Sequence, residues 1–132
     1  MCDNCLAVRN ESQHDLDGDG DGDECDLDDR VVLFARISHP RVRWQSDAGY
    51  SLYNLYRGSL AELRLTGEYT QSPGANPYAG RYCGLTATYQ DDGLVPQPGE
   101  AFYWLVAGVG LGGEEPLGDG DRVERPNANP CP

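Results

Sequence analysis

The chain has 132 residues, of which 22 are acidic and 10 basic, for a net charge of −12. Residues 1–29 hold eleven acids against Arg9 alone, a net −10, while residues 30–132 hold eleven acids and nine arginines, a net −2. This balance excludes nucleic acid as a partner, because no basic stripe is present to neutralise phosphates. It also excludes a transmembrane helix, since the longest apolar run, Phe102 to Ala107, falls far short of the roughly 18 residues such a span needs. All basic residues are arginine, and the N-terminus lacks the pattern of a secretion signal, which implies a removed signal or a longer parent chain.

The first element in chain order is the acidic segment. Residues 15–26 read Asp-Leu-Asp-Gly-Asp-Gly-Asp-Gly-Asp-Glu-Cys-Asp, with five aspartates at every second position and a sixth at Asp26. Without counterions such a run repels itself and stays unfolded. A loop curling around a cation turns every second side chain inward, and Gly18, Gly20 and Gly22 let the backbone turn tightly. Oxygen ligands at offsets 1, 3, 5, 7, 9 and 12 form the calcium-loop arrangement, and here they fall on Asp15, Asp17, Asp19, Asp21, Asp23 and Asp26. Asp21, at the seventh offset, is expected to contribute its main chain. Asp26 stands where an EF-hand has the longer glutamate, and residues 6–14 lack the periodicity of a flanking helix. The expectation is therefore a Ca²⁺ loop outside a helix–loop–helix setting. Its hard oxygen donors favour Ca²⁺ over zinc or copper.

The cysteines are Cys2, Cys5, Cys25, Cys83 and Cys131. Cys2 and Cys5 make one zinc-type knuckle, but no second knuckle follows, and only His14 and His39 remain to complete a site. Buried free thiols are the bland alternative, and disulfides in an oxidising compartment the favoured one. A Cys5–Cys25 bridge would close the acidic loop and contribute roughly 3 kcal/mol on a chain-entropy estimate. Cys83 and Cys131 would then tie the tail to the body, with Cys2 spare for a partner outside the chain. Spacing alone leaves this connectivity open.

The run Asp3-Asn4-Cys5, then Asn10, Gln13 and Asp15-x-Asp17-Gly18-Asp19-Gly20-x-Gly22-Asp23-x-Cys25-Asp26, resembles one thrombospondin type 3 repeat. The resemblance covers residues 2–29, with Leu6 in place of the usual proline after the first cysteine. It implies calcium held by these aspartates, often as more than one ion, so that Asp3, Asn4 and Asp28 become candidates for a further site. It also implies a Cys5–Cys25 bridge, and it sets Cys2 where a preceding repeat would end.

From Arg30 onward the pattern changes to short strands. Val31–Ile37 reads as an apolar strand stopped by Pro40, and Val42–Gln45 alternates with Val42 and Trp44 on one face. Tyr50–Arg57 is rich in strand formers. Ser59 to Leu63 reads as one helical turn, with Ser59 as cap and Glu62 three residues on. Leu85–Tyr89 is expected as a short strand, and Phe102–Val109 is the strongest strand. Gly/Pro turns occupy residues 93–99 and 110–118. Residues 122–132 form an extended proline-rich tail. About seven short strands separated by turn signals predict an antiparallel immunoglobulin/fibronectin III-like sandwich over residues 30–132, preceded by the irregular calcium-binding segment of residues 1–29. Phe34, Trp44, Tyr53, Leu55, Trp104 and Val106 are its expected core, and a carbohydrate-stacking role for the aromatic residues is the alternative.

Trp44, Tyr53-Asn54-Leu55-Tyr56-Arg57-Gly58, Phe102-Tyr103-Trp104-Leu105-Val106, Gly118 and Glu124-Arg125-Pro126-Asn127 through Cys131-Pro132 resemble a fibronectin type III-like module of bacterial surface proteins. Such modules often carry a further cysteine near the glycine-rich turn. Leu111 stands in that region here, which leaves Cys83 and Cys131 as natural partners. The modules are mostly non-catalytic spacers, and the resemblance brings no active site with it.

The chain has no nucleophile elbow, zincin motif or phosphate-binding loop. His14 and His39 read as solvated loop residues. Asp47, Glu62 and Glu100 are scattered acids that would have to meet across a cleft to act as a glycosidase pair. Asn10-Glu11-Ser12 is a glycosylation sequon expected at the surface. These features point to a non-enzymatic extracellular or cell-surface structural protein that self-associates head to tail. The spare Cys2, the tail and the open sheet edges would be its attachment devices. A calcium-dependent adhesion or carbohydrate-binding module, or a spacer of a larger secreted protein, is the alternative.

Overall fold

The computed structural model describes residues 3–15, 18–27, 32, 34–117 and 125–132. Within them the elements run β1 (Phe34–Ser38), β2 (Arg41–Trp44), β3 (Leu52–Ser59), α1 (Leu60–Thr66), β4 (Gly80–Leu85), β5 (Tyr89–Asp91), β6 (Phe102–Gly110) and β7 (Gly113–Glu114). They build a three-stranded sheet in the order β1-β2-β5 and a four-stranded sheet in the order β4-β3-β6-β7. Every pairing is antiparallel. The chain passes from one sheet to the other after β2, β4 and β5, as in an immunoglobulin/fibronectin III-like sandwich.

Side-chain alternation in β2 decides which face meets the core. Val42 and Trp44 are 4% and 3% exposed, while Arg41 and Arg43 point the other way. They pack with Tyr53 and Leu55 of β3, and Phe34, Tyr82, Leu85, Trp104 and Val106 close around them. Burying each such apolar side chain contributes roughly 1.5–3 kcal/mol. All six expected core residues belong to this cluster.

Strand β3 is buried on both faces. Its outward side chain Tyr56 forms a second cluster with Ala107 and Leu117, against which Leu105 and Cys131 pack. The C-terminal segment covers this outer face. The Tyr56 hydroxyl accepts from the Cys131 N–H at 2.9 Å and donates to Glu114 at 2.5 Å. Asn129 donates its N–H to Thr70 Oγ1 at 2.9 Å and its amide to the Thr70 carbonyl at 2.6 Å. A Cys83–Cys131 disulfide completes the attachment. The expected tie of Cys83 to Cys131 is present, and residues 125–132, also expected to serve as an attachment device, are engaged by their own domain because they carry the polar and apolar partners that the outer face of β3 requires.

Further differences from expectation have local causes. The stretch Leu85–Tyr89 is not one strand: Leu85 ends β4 in one sheet, Tyr89 begins β5 in the other, and residues 86–88 cross between them. β4 itself was hidden by its glycines, Gly80 and Gly84. The 110–118 turn contains β7. The helical turn at Ser59 extends to Thr66, and the Ser59 side chain accepts from the Glu62 N–H as its cap. Gly108 cannot be replaced without rearrangement, because a Cβ there would stand 2.1 Å from the Tyr50 ring. Val31, Leu33, the 1–29/30–132 boundary, and residues 118–124 of the expected turn and tail lie outside the described residues.

Candidate functional site

The acidic segment is organised by side-chain amides in place of regular secondary structure. Asn4 donates its N–H to Gln13 Oε1 and its side-chain amide to the Gln13 carbonyl, both at 3.0 Å. Asn10 Nδ2 donates to Asn4 Oδ1 at 2.6 Å, and Gln13 Nε2 returns to the Asn10 carbonyl at 2.7 Å. Asp3 accepts from the Cys5 N–H at 3.0 Å and from Gln13 Nε2 at 3.2 Å. The Gly22 N–H donates to the Asn4 carbonyl at 2.9 Å, and a Cβ on Gly22 would lie 2.6 Å from both Asn4 and Asn10. Cys5, 2% exposed, is disulfide-bonded to Cys25 across a separation of 20 residues. A polar hub thus replaces the apolar core this segment lacks.

The Asn/Gln hub leaves the aspartates for the loop. Both carboxylate oxygens of Asp15 accept backbone N–H bonds, from Gly18 at 2.6 Å and Gly20 at 3.0 Å. Asp19 accepts from the Asp21 N–H at 2.9 Å. Gly18 and Gly20 take φ of 75° and 109°, the left-handed region that the alternating glycines permit. Asp21 is exposed, Asp23 half-buried, and Asp26 only 4% exposed. Among the described residues, no group of three or more His, Cys, Asp or Glu side chains is gathered in a way that would hold a metal ion. Asp17, Asp28 and Cys2 lie outside the described residues. The donor set, all oxygen on a glycine-hinged loop, still has the chemistry of a hard-cation ligand set.

The acidic segment sits on the sandwich through a contact that sequence reading missed. Gln45, just past β2, donates its side-chain amide to the carbonyls of Asp23 at 3.2 Å and Asp26 at 3.0 Å. The Ala48 N–H donates to the Leu27 carbonyl at 2.6 Å. The seat is itself braced: the buried Asp47 donates its N–H to the Tyr53 hydroxyl at 2.8 Å and accepts from the Gly49 N–H at 2.7 Å. A glutamine closing an alternating strand gave no sequence signal for this role.

Asn10 is 5% exposed and its side-chain nitrogen is held by Asn4, so the sequon does not present a surface amide in this fold. Glu62 lies in the first turn of α1, and Glu100 accepts from the Tyr78 hydroxyl. Neither is joined to Asp47, which serves the loop just described. His14 is exposed, and His39 Nε2 lies 3.2 Å from the Gly93 carbonyl.

A cleft of about 230 Å³ opens at the far end of the sandwich, where β2 and β6 begin. Ile37, Pro40, Val42, Leu94, Phe102 and Trp104 are among its walls, and Asp92 also lines it. Asp92 pairs with Arg57, and their side chains are only 5% and 13% exposed. Arg57 also donates to the Tyr78 carbonyl at 2.7 Å, and its guanidinium lies 5.8 Å from the Trp104 ring centroid. Burial and a hydrogen bond to Asp92 at 2.8 Å raise the Tyr82 phenol above its ordinary range. Trp44 belongs to the core, and Trp104 is the tryptophan that faces this cleft.

Strand order and register thus define an all-β, disulfide-bonded sandwich carrying an acidic loop segment at one end, and no helix among the described residues is long and apolar enough to cross a membrane. No protein family and no curated protein matches the sequence. Among solved structures, a fibronectin III-like protein from Clostridium thermocellum is similar at 24% identity and a TM-score of 0.36, over 56% of this chain and 62% of that one.

Proposed function

We propose that the chain is a non-enzymatic structural module of an extracellular or cell-surface protein. Its acidic repeat takes up Ca²⁺ and becomes a stiff joint, and the sandwich is the protomer of a head-to-tail filament or array. The observation that carries this reading is the seating of the repeat: a −10 segment with no apolar core is closed by Cys5–Cys25 and held on the sandwich by Gln45 and Ala48. Asp15, Asp17, Asp19, Asp21, Asp23 and Asp26 would hold the ion, with Asp3, Asn4 and Asp28 for a further one. A bound cation supplies positive charge that offsets carboxylate repulsion, so the segment falls from −10 to −8 with one ion. Two disulfides fit an oxidising compartment.

Isothermal titration of Ca²⁺ into chelator-treated protein tests the metal. Saturable heat is expected, and none at millimolar Ca²⁺ sinks the calcium joint. Electron microscopy with and without chelator tests assembly. Polymers that disperse on chelation are expected, and uniform particles in both conditions refute the filament. A second reading, carbohydrate binding, is favoured by the Trp104 and Phe102 rings in the cleft wall, and a glycan array separates it from the first.

A further inference from the structure

The outer faces of the two sheets differ. The four-stranded sheet is covered by the chain's own C-terminal segment. The three-stranded sheet is bare among the described residues, and its register gathers charge there. Arg36 stands opposite Arg43, Arg43 opposite Tyr89, and Arg41 opposite Asp91. Their neighbours Val42 and Trp44 face the core, so these side chains face solvent. Tyr89 is 43% exposed, with the guanidinium of Arg41 at 4.3 Å and that of Arg43 at 5.9 Å from its ring centroid. Asp91 bonds Arg41 at 2.5 and 2.8 Å and offsets one charge. Arg36 and Arg43 remain exposed, leaving a patch of about +2 on a strongly acidic chain.

Three other arginines are engaged within the sandwich: Arg57 pairs with Asp92, Arg81 donates to the Pro130 carbonyl and Arg125 to that of Leu117, while Arg64 on α1 is exposed. Among the described residues, no ion pair joins Arg36, Arg41 or Arg43 to the chain's own repeat. The complement to this patch is nonetheless part of the same molecule, the −10 segment seated on the 45–48 loop. Two complementary patches at different places on one chain make a heterologous contact, which repeats without closing unless the rotation forms a ring.

We infer that the outer face of the three-stranded sheet, through Arg36, Arg43 and the Arg41–Tyr89 stack, is the docking surface for the acidic repeat of a second copy. This deepens the self-assembly proposed above and rests on it. Exposed apolar side chains on the repeat, Leu6 at 93% and Val8 at 42%, would add contact area around the charges.

The test uses the full chain in millimolar Ca²⁺, in sedimentation velocity at low salt and at about 1 M salt, where the screening length shrinks to about 3 Å. Wild-type protein is expected to polymerise at low salt and dissociate at high salt. Arg36→Glu with Arg43→Glu should lower the association constant at least about a hundredfold with unchanged circular dichroism, because like charges then face each other. If wild type assembles and the double variant assembles equally well, the docking surface is wrong while self-assembly stands. If wild type is monomeric in both salts, self-assembly falls and the docking surface with it. A second arm exploits the absence of lysine. Arg43→Lys places a single side-chain amine on the face, and carbodiimide coupling in a mixture of isotope-labelled and unlabelled chains should link it between chains to carboxylates of residues 15–26. Links confined to one chain, or to acids of the neighbour's sandwich, overturn the inference.

Discussion

The Gln45 side-chain amide donates to the Asp26 carbonyl at 3.0 Å, and this contact joins the acidic segment to the sandwich. With the parallel bond to Asp23, it makes one side chain the hinge pin between a segment built on polar hydrogen bonds and a domain built on apolar burial. Gln45→Ala removes both bonds. Each contributes about 0.5–1.5 kcal/mol, and the loss should be local to the repeat. Amide exchange at residues 23–27 should quicken while β3 and β6 stay protected. Hydrogen-exchange mass spectrometry reads this, and unchanged exchange at 23–27 would show that the seat does not depend on Gln45.

The Arg57–Asp92 pair lies between the sheets beside the cleft, with side chains 13% and 5% exposed. Asp92→Ala leaves a guanidinium in a poorly hydrated place and should cost about 3–5 kcal/mol in urea unfolding. Arg57→Met with Asp92→Leu removes both charges and should be less damaging than Asp92→Ala. A double variant as unstable as the single one would mean that packing against Trp104, more than charge, is what Arg57 contributes.

Alkaline pH should weaken the fold through its phenols. Burial pushes Tyr103 up to about 12 from an ordinary 10.0, and its hydroxyl donates to the Tyr69 carbonyl. A phenol raised by folding stabilises fully below its unfolded value and loses that contribution as pH rises through the folded value. The loss therefore falls between about pH 10 and 12, and Tyr82 and Tyr56, also raised mainly by burial, act in the same direction. Urea midpoints measured from pH 9 upward should decline above pH 10, less steeply in Tyr103→Phe. An equal slope in that variant would remove Tyr103 from the account.

The Cys83–Cys131 bridge spans 48 residues and fastens the tail over Tyr56. On a chain-entropy estimate, Cys83→Ser with Cys131→Ser should cost about 4 kcal/mol. Exchange should rise at residues 127–131 first, since the remaining bonds to Tyr56 and Thr70 are individually weak. Protection of the tail equal to wild type would indicate that those polar contacts suffice.

Local chemistry made part of this molecule legible. The Ser59 cap and Glu62 marked the helix start, the Val42/Trp44 alternation marked a core face, and the phased glycines marked the acidic loop. Each of these signals lies within a few residues of chain. β3 was harder to read in full, because burial on both faces erases alternation and the reason for it, the tail, lies about 70 residues further on. β4 was missed because Gly80 and Gly84 lower its strand propensity, and pairing with β3 overrides that.

The sequence by itself determined where the charge sits, which residues carry oxygen donors, and that short strands with a Trp- and Tyr-rich core would build a sandwich. These follow from composition and short-range periodicity. Only the tertiary structure decided that Gln45 seats the acidic segment, that Arg57 meets Asp92, that the tail packs over Tyr56, and that Arg36, Arg41 and Arg43 share one open face. Those relationships depend on sheet register and on the crossing of chain between sheets, which bring together residues that no local pattern relates.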